Sequence, residues 1–420
     1  MEEVVRIERI AAGGDGVGHL ADGRAVFVPR AAAGDLALIS ITRQAARFAR
    51  ARIRELVEPG PDRIEPLCSH YRDDDCGGCQ LQHLNAASQR EARRRIAGDA
   101  LRRIGKQTVE DPVLTPAAAD WGYRTKITLT RGTSGRLGFH RVDRPDSVFP
   151  LDRCPVAAPG VNDLWVRFRQ SRGLWPASLA RVVLRLDRTG GEHVIIETGE
   201  GPIWTGGKTL QAAVRRAASL TVWWRPFEGA VRAVGGSDTA YPAAAFEQIN
   251  PAMGDQVRAA AIAALGNVTG QRIWDLYAGI GETSALLAER GAQVQSVEWD
   301  RRAVEEAERR HREAGLTVDR VVGSVEAAVA SLGHPDQVIT NPPRTGMDPR
   351  VIEALKTRAP ARIVYISCDP ATLARDIARL ATPRAERRAP SAEYRVPSTE
   401  CYDLFPQTAH VESVAVLERV

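Results

Sequence analysis

Ile273-Trp274-Asp275-Leu276-Tyr277-Ala278-Gly279-Ile280-Gly281 reads as an apolar strand running into a turn built on glycines. Thr283–Arg290 follows as a helix stopped by Gly291. The glycines let the backbone approach a ligand closely. Glu298, closing the next strand Val294–Val297, is placed to accept hydrogen bonds from ribose hydroxyls. A dinucleotide fingerprint would put a third glycine at 284, where Ser284 stands. Arg301–Ala314 then reads as a charged helix stopped by Gly315, with Glu305/Arg309 and Glu306/Arg310 spaced as ion pairs. Strands Gln337–Thr340 and Ile363–Ser367 each lead into another helix. This alternation of strand and helix specifies an α/β unit over residues 241–420 with a doubly wound, mostly parallel sheet.

Upstream the grammar differs. Residues 1–57 hold short strands at Val4–Ile10, Ala25–Val28 and Asp35–Ile41, separated by glycine turns at 13–16 and 22–23. That is the pattern of a small β-barrel. Arg43, Arg47, Arg50, Arg52 and Arg54 close it, either tracking a phosphate backbone or forming a solvated surface run; composition leaves both readings open. Residues 58–240 open with the linker Glu58-Pro59-Gly60-Pro61 and form a mixed, strand-rich central domain. Within it, Arg90, Arg93, Arg94, Arg95, Arg102 and Arg103 fall on a predicted helix, a second candidate RNA-binding block. Val182–Leu186 and His193–Glu197 flank Asp187-Arg188-Thr189-Gly190-Gly191 as a hairpin.

With 420 residues the chain has room for roughly two to three domains. Its formal charge of +5 is compatible with a polyanionic partner without requiring one. The start has no secretory layout, and no stretch reaches the length of a membrane span, so a cytoplasmic monomer without membrane contact is expected. In a reducing compartment the six cysteines are expected free, catalytic or metal-bound. Cys68, Cys76 and Cys79 are spaced C-x7-C-x2-C, and Cys154 supplies a fourth ligand. Four thiolates suit zinc or an iron–sulfur cluster, and the spacing leaves the two open.

Three further stretches change the weight of these signals: Asn341-Pro342-Pro343-Arg344-Thr345-Gly346, Tyr365-Ile366-Ser367-Cys368-Asp369-Pro370-Ala371-Thr372-Leu373-Ala374-Arg375-Asp376, and Phe405-Pro406-Gln407-Thr408-Ala409-His410-Val411-Glu412-Ser413. Together with Phe246-Glu247-Gln248-Ile249-Asn250 and the 275–281 turn, they resemble the signatures of the RNA uridine-C5 methyltransferase family. Gly14-Asp15-Gly16-Val17, Phe27-Val28-Pro29 and Gly34-Asp35 resemble the TRAM domain, an OB-like RNA-binding module. The match is to the subfamily that acts on large-subunit ribosomal RNA.

The resemblance implies a class I (Rossmann-like) methyltransferase domain, preceded by a TRAM barrel and the central domain. It implies S-adenosylmethionine held by Gln248, Tyr277, Glu282, Glu298, Ser324 and Asn341, a nucleophile at Cys368 and a general base at Glu412. It also favours a [4Fe–4S] cluster on Cys68, Cys76, Cys79 and Cys154, although Asp73-Asp74-Asp75 lengthens the usual first spacing. Asn341 stands where the family more often has Asp, replacing a carboxylate by a neutral amide. Arg344 and Arg375 are candidates for phosphate or uracil contacts, or for structural ion pairs, and Cys401 is expected to pack.

These residue types suit the chemistry. C5 of uracil is a poor nucleophile until a thiolate adds to C6, after which a base must remove the C5 proton. The uridine must be unpaired or flipped out. Ribosomal RNA is the expected substrate and transfer RNA the alternative. A non-catalytic RNA-binding or ribosome-assembly protein is the alternative of another class.

Overall fold

The computed structural model describes residues 1–142, 144–216, 219–236, 247–382 and 392–420. Five strands, β1 (Glu2–Ile10), β2 (Gly16–His19), β3 (Ala25–Val28), β4 (Leu36–Gln44) and β5 (Phe48–Glu58), close a barrel in the order β1-β2-β3-β5-β4. Alternation along the strands decides its inside. Val5, Ile7, Val26, Val28, Ile39, Ala49 and Ala51 fill the core, while Arg50, Arg52 and Arg54 of β5 point outward.

After the barrel, the cysteine segment leads into the helix Ala86–Arg103, capped by Asn85 accepting from the Ser88 amide at 2.9 Å. The short strand β6 (Val113–Thr115) follows. The central sheet comprises β7 (Lys126–Arg131), β8 (Leu137–Arg141), β9 (Arg144–Pro150), β10 (Leu179–Leu186), β11 (Glu192–Thr198), β12 (Leu220–Arg225) and β13 (Arg232–Gly235). Its order is β13-β12-β11-β10-β7-β8-β9. Val161, Leu164, Trp165 and Phe168 of the helix Pro159–Gln170 pack on Ile127, Leu129, Val182 and Leu184. The hairpin expected around residue 187 is β10–β11, its turn held by Asp187 accepting from the amides of Thr189 and Gly191, each at 2.8 Å.

The last sheet carries β14 (Arg272–Leu276), β15 (Gln293–Glu298), β16 (Asp319–Val322), β17 (Gln337–Thr340), β18 (Arg362–Ser367), β19 (Tyr394–Tyr402) and β20 (Glu412–Arg419), in the order β16-β15-β14-β17-β18-β20-β19-β6. The five strands β14 to β18 are parallel, and β20 joins them antiparallel. This is the doubly wound sheet that the strand–helix alternation specifies. The sheet also takes in residues from the stretch 58–240, however. β6 pairs with β19, and the helix Ala86–Arg103 packs on the helix Pro370–Ala381. The stretch around 86–115 is thus built into the last sheet, because apolar residues such as Leu101 find their partners there. The boundary at 240 lies outside the described residues.

Candidate active site

Four parallel strands end at one crevice, where ligands gather in sheets of this kind. The residue after β14 is Tyr277, that after β17 is Asn341, and that after β18 is Cys368, while Glu298 closes β15. The Asn341 amide donates to the Leu276 carbonyl at 3.2 Å, which ties the first two ends side by side. Tyr277 is held at φ 63°, a costly conformation for a non-glycine residue. Gly281 begins the helix Glu282–Glu289 at φ 75°, and a Cβ there would lie 2.8 Å from Ala307 and 2.9 Å from the His311 ring. Only glycine fits that corner.

Gln248, Tyr277, Glu282 and Asn341 line a single pocket together with Gly279 and Asp275. Glu298 acts on the same loop from behind, accepting from the Gly279 amide at 2.8 Å with one oxygen and from the Asp300 amide at 2.9 Å with the other. Ser324 is not among the described lining residues; it precedes the short helix Val325–Ala328. The set fits an adenosyl sulfonium in its chemistry: positive-φ glycines for close approach, apolar Ile280, Ile339 and Ile366, and carboxylates and amides as polar walls. Sequence reading missed Arg258 and Glu247, which also line the pocket, because their role depends on ion-pair partners far off in the chain. Glu282 is gripped by Arg258 and by Arg188 (3.0 Å), and Glu247 by Arg185. Asp275 is fully buried, and burial pushes its carboxyl up to about 6 despite the hydrogen bond from Ser284. Phe246 lies outside the described residues.

Cys368 and Glu412 meet across β18 and β20. Ser367 pairs with Ser413 at the last register position, so one step further sets Cys368 opposite Glu412. Glu412 is almost fully buried and its Oε2 has no hydrogen-bond partner among the described residues. Burial pushes its carboxyl up to about 8, against the pull of the Arg344 guanidinium. The Cys368 thiol is also pushed up, first by burial and then by Glu412, while Arg344 opposes both. Asp369 caps the next helix by accepting from the Thr372 amide at 2.8 Å, so Cys368 stands just ahead of a helix N-terminus. Arg344 therefore belongs to the site. Arg375 does not, since it is spent on Asp376 (2.8 Å) and the Thr345 carbonyl (2.8 Å).

The two arginine blocks differ in how far their members are buried. Arg43 and Arg47 are exposed and make no ion pair among the described residues, while Arg50 and Arg54 make solvent-exposed pairs with Asp15 and Glu2. In the second block Arg93, and in part Arg90, depart from the expectation of an RNA path, while Arg95 and Arg103 are exposed. Arg93 is 1 % exposed and pairs with the fully buried Asp403 at 2.9 Å; Arg90 faces Asp120 and Asp403. Arg94 and Arg95 pair with Glu91, and Arg102 with Asp99 and Asp111. This face of the helix is an internal clamp on the segment 403–408.

Cys68, Cys79 and Cys154 share an apolar cluster with Tyr71 and Val156. Burial pushes Cys76 up to about 11 and Cys79 up to about 12, and in each the neighbouring thiols add to the rise. The four sulfurs are thus in one neighbourhood. Among the described residues, however, no group of three or more His, Cys, Asp or Glu side chains closes on a point as metal ligands. The inserted Asp74 and Asp75 take up arginines from elsewhere: Arg141 on Asp74, and Arg30 and Arg144 on Asp75. Cys401 is buried in a core, as expected.

The fold and pocket define a class I, S-adenosylmethionine-dependent methyltransferase. A family model described as tRNA (Uracil-5-)-methyltransferase matches residues 332–420, a TRAM domain model residues 2–53, and a Precorrin methyltransferase domain model residues 244–366. The chain is 32 % identical to the 23S rRNA (uracil(1939)-C(5))-methyltransferase RlmD of Thiobacillus denitrificans, covering 100 % of both chains. It is 31 % identical to an uncharacterised RNA methyltransferase of Streptomyces coelicolor, over 99 % of this chain and 93 % of the relative. The crystal structure of a Pyrococcus abyssi tRNA (uracil-54, C5)-methyltransferase with S-adenosyl-L-homocysteine matches in fold, with a TM-score of 0.72 at 24 % identity over 99 % of this chain and 100 % of that one. The chain belongs to the RNA uracil-C5 methyltransferase family and is an enzyme of that family. No helix among the described residues is long and apolar enough to cross a membrane.

Proposed function

We propose that the chain methylates C5 of a uridine in 23S rRNA, with Cys368 as nucleophile and Glu412 as base. The carrying observation is the pairing of Ser367 with Ser413, which brings Cys368 and Glu412, the next residues of each strand end, within electrostatic reach of each other, while Ile366 lines the pocket of Gln248, Tyr277, Glu282 and Asn341. S-adenosylmethionine bound in that pocket supplies an electrophilic methyl group. Cys368, as thiolate, adds to C6 and sends the electron pair toward C5. A neutral Glu412 and the Arg344 guanidinium both ease formation of that thiolate, since an ionised Glu412 would oppose it. Glu412 then gives up its own proton to solvent; once C5 has taken the methyl group and S-adenosyl-L-homocysteine is left, the carboxylate takes the C5 proton, and the electron pair returns to expel the thiolate from C6. Burial that raises this carboxyl to about 8 favours the neutral form at the addition step, so the ionised form has to be reached before proton removal. Glu298 holds the glycine loop in shape and accepts from a ribose hydroxyl, and Ser324 is the remaining candidate cofactor contact.

The 23S assignment rests on the full-length likeness to the Thiobacillus relative so named; transfer RNA is the second substrate to test. A [4Fe–4S] cluster on Cys68, Cys76, Cys79 and Cys154 is part of the same reading. Its support is the convergence of Cys154 with the three thiols of the segment 68–79, and it would cross-link the two stretches rather than take part in turnover. Residues 1–57 would act as the RNA-gripping barrel, 58–240 as the cluster-bearing domain and 241–420 as the methyltransferase domain of a cytoplasmic monomer. Mass spectrometry of RNA from a deletion strain tests the substrate. One 5-methyluridine should vanish from 23S rRNA, and its loss from transfer RNA alone would overturn the ribosomal assignment.

A further inference from the structure

The β7–β8 turn and the helix Pro159–Gln170, with the short 3-10 turn after it, enclose a pocket of about 210 Å³ that shares no described lining residue with the cofactor pocket. Its floor is apolar, made by Leu137, Trp165 and Trp175. Trp175 stacks one face on Phe168, with centroids 4.9 Å apart, and is only half-buried. Arg136, Arg169 and Arg172 form the rim. Arg131 joins them, since its Nη2 and that of Arg172 lie 3.7 and 3.5 Å from where a Cβ would stand on Gly135. Gly135 turns at φ 71° and leaves that space open.

The charge on this rim is not balanced. Arg169 pairs with Asp152, itself largely exposed, at 2.9 Å. Among the described residues no ion pair involves Arg131, Arg136 or Arg172. Like charges gathered over an apolar floor repel unless an anion is shared between them. A flat aromatic floor under a cationic rim matches a nucleotide, with its base below and phosphate above.

We propose that this pocket takes one unpaired nucleotide of the RNA substrate, its base against Trp175 and its phosphodiester on Arg131, Arg136 and Arg172. The assignment rests on the RNA reading and adds a contact remote from the reacting uridine. Two variants of the full-length protein test it: the double variant Arg136→Gln/Arg172→Gln, and Trp175→Leu. Affinity for an unmodified 23S rRNA transcript is measured across a salt titration. The arginine pair should weaken binding about tenfold and flatten the slope of log affinity against log salt by about two. Trp175→Leu should weaken binding about tenfold with the slope unchanged. Affinity for S-adenosyl-L-homocysteine and the rate at saturating RNA should match wild type. The arginines are exposed, so their variant decides the matter even if Trp175→Leu melts early. If wild type methylates the transcript while the arginine variant keeps wild-type affinity and slope, the pocket assignment is overturned. If wild type methylates neither ribosomal nor transfer RNA, it is the RNA reading that fails.

Discussion

Two regions of this molecule present cysteines to their surroundings in opposite ways. At the end of β18, Cys368 is half-buried and stands ahead of a helix N-terminus, and Arg344 offsets part of the rise that burial and Glu412 give its thiol. In the segment 68–79, Cys76 and Cys79 are buried among apolar side chains and one another, and their thiols are pushed far from ionisation. A thiol in the first setting can switch between forms during a reaction. Thiols in the second act only once a cation takes up their charge. The residue is the same; local charge and water access assign its work.

The sharpest break in that comparison is Cys368→Ala, which should abolish both 5-methyluridine formation and any covalent RNA–protein band on a denaturing gel. Product from this variant would remove the thiol from the mechanism. Next in size is Glu412→Gln, which keeps the thiol but cannot take the C5 proton. Turnover should fall about 10²–10⁴-fold while labelled RNA stays attached in the presence of S-adenosylmethionine. Normal turnover would reassign the base.

The same variant has a stability signature. Glu412 titrates at about 8 in the folded chain against an ordinary value of 4.5, so the folded state holds its proton more tightly. The stability this contributes is complete below about 4.5 and is lost as pH rises through about 8. Glu412→Gln lacks that loss, and its melting temperature relative to wild type should rise between pH 5 and 8. A flat difference would mean that Glu412 titrates normally.

For the other set of cysteines, Cys79→Ser should lower bound iron and the melting temperature of anaerobically purified protein while leaving S-adenosyl-L-homocysteine affinity unchanged. One zinc and no labile sulfide in wild type would overturn the cluster. The smallest effect expected is from Asn341→Asp, which restores a carboxylate at the end of β17 and should bind cofactor as well as or better than wild type. Complete loss of binding in a folded variant would mean that the pocket is built around the amide.

Arginine blocks show where legibility stopped. Both runs looked alike along the chain, yet Arg93→Ala should destabilise the fold by up to about 3–5 kcal/mol by leaving Asp403 buried with only Arg90 beside it at 3.5 Å. Arg43→Ala and Arg47→Ala touch solvent only, and their effect should appear in RNA affinity and its salt slope, measured by titration. The fourth strand expected in the α/β unit, Ile363–Ser367, is β18 to within a residue, because an apolar run between polar turns is a local signal. β6 had no such signal: three residues make a strand only because β19 lies beside them.

The sequence by itself determined the strand–helix alternation, the glycine turn after β14, the barrel's inward and outward faces, and the motifs containing Cys368, Asn341 and Glu412. Periodicity, turn chemistry and motif order are all properties of neighbours along the chain. Only the tertiary structure decided which charges meet. Arg93 donates to the Thr408 carbonyl 315 positions away, Arg188 crosses from the central sheet to Glu282, and Cys368 faces Glu412 through the register of two strands. Whether an arginine clamps a core or greets a phosphate, and whether a carboxyl titrates near 4.5 or near 8, depends on burial and on partners, and both are set by packing across the chain.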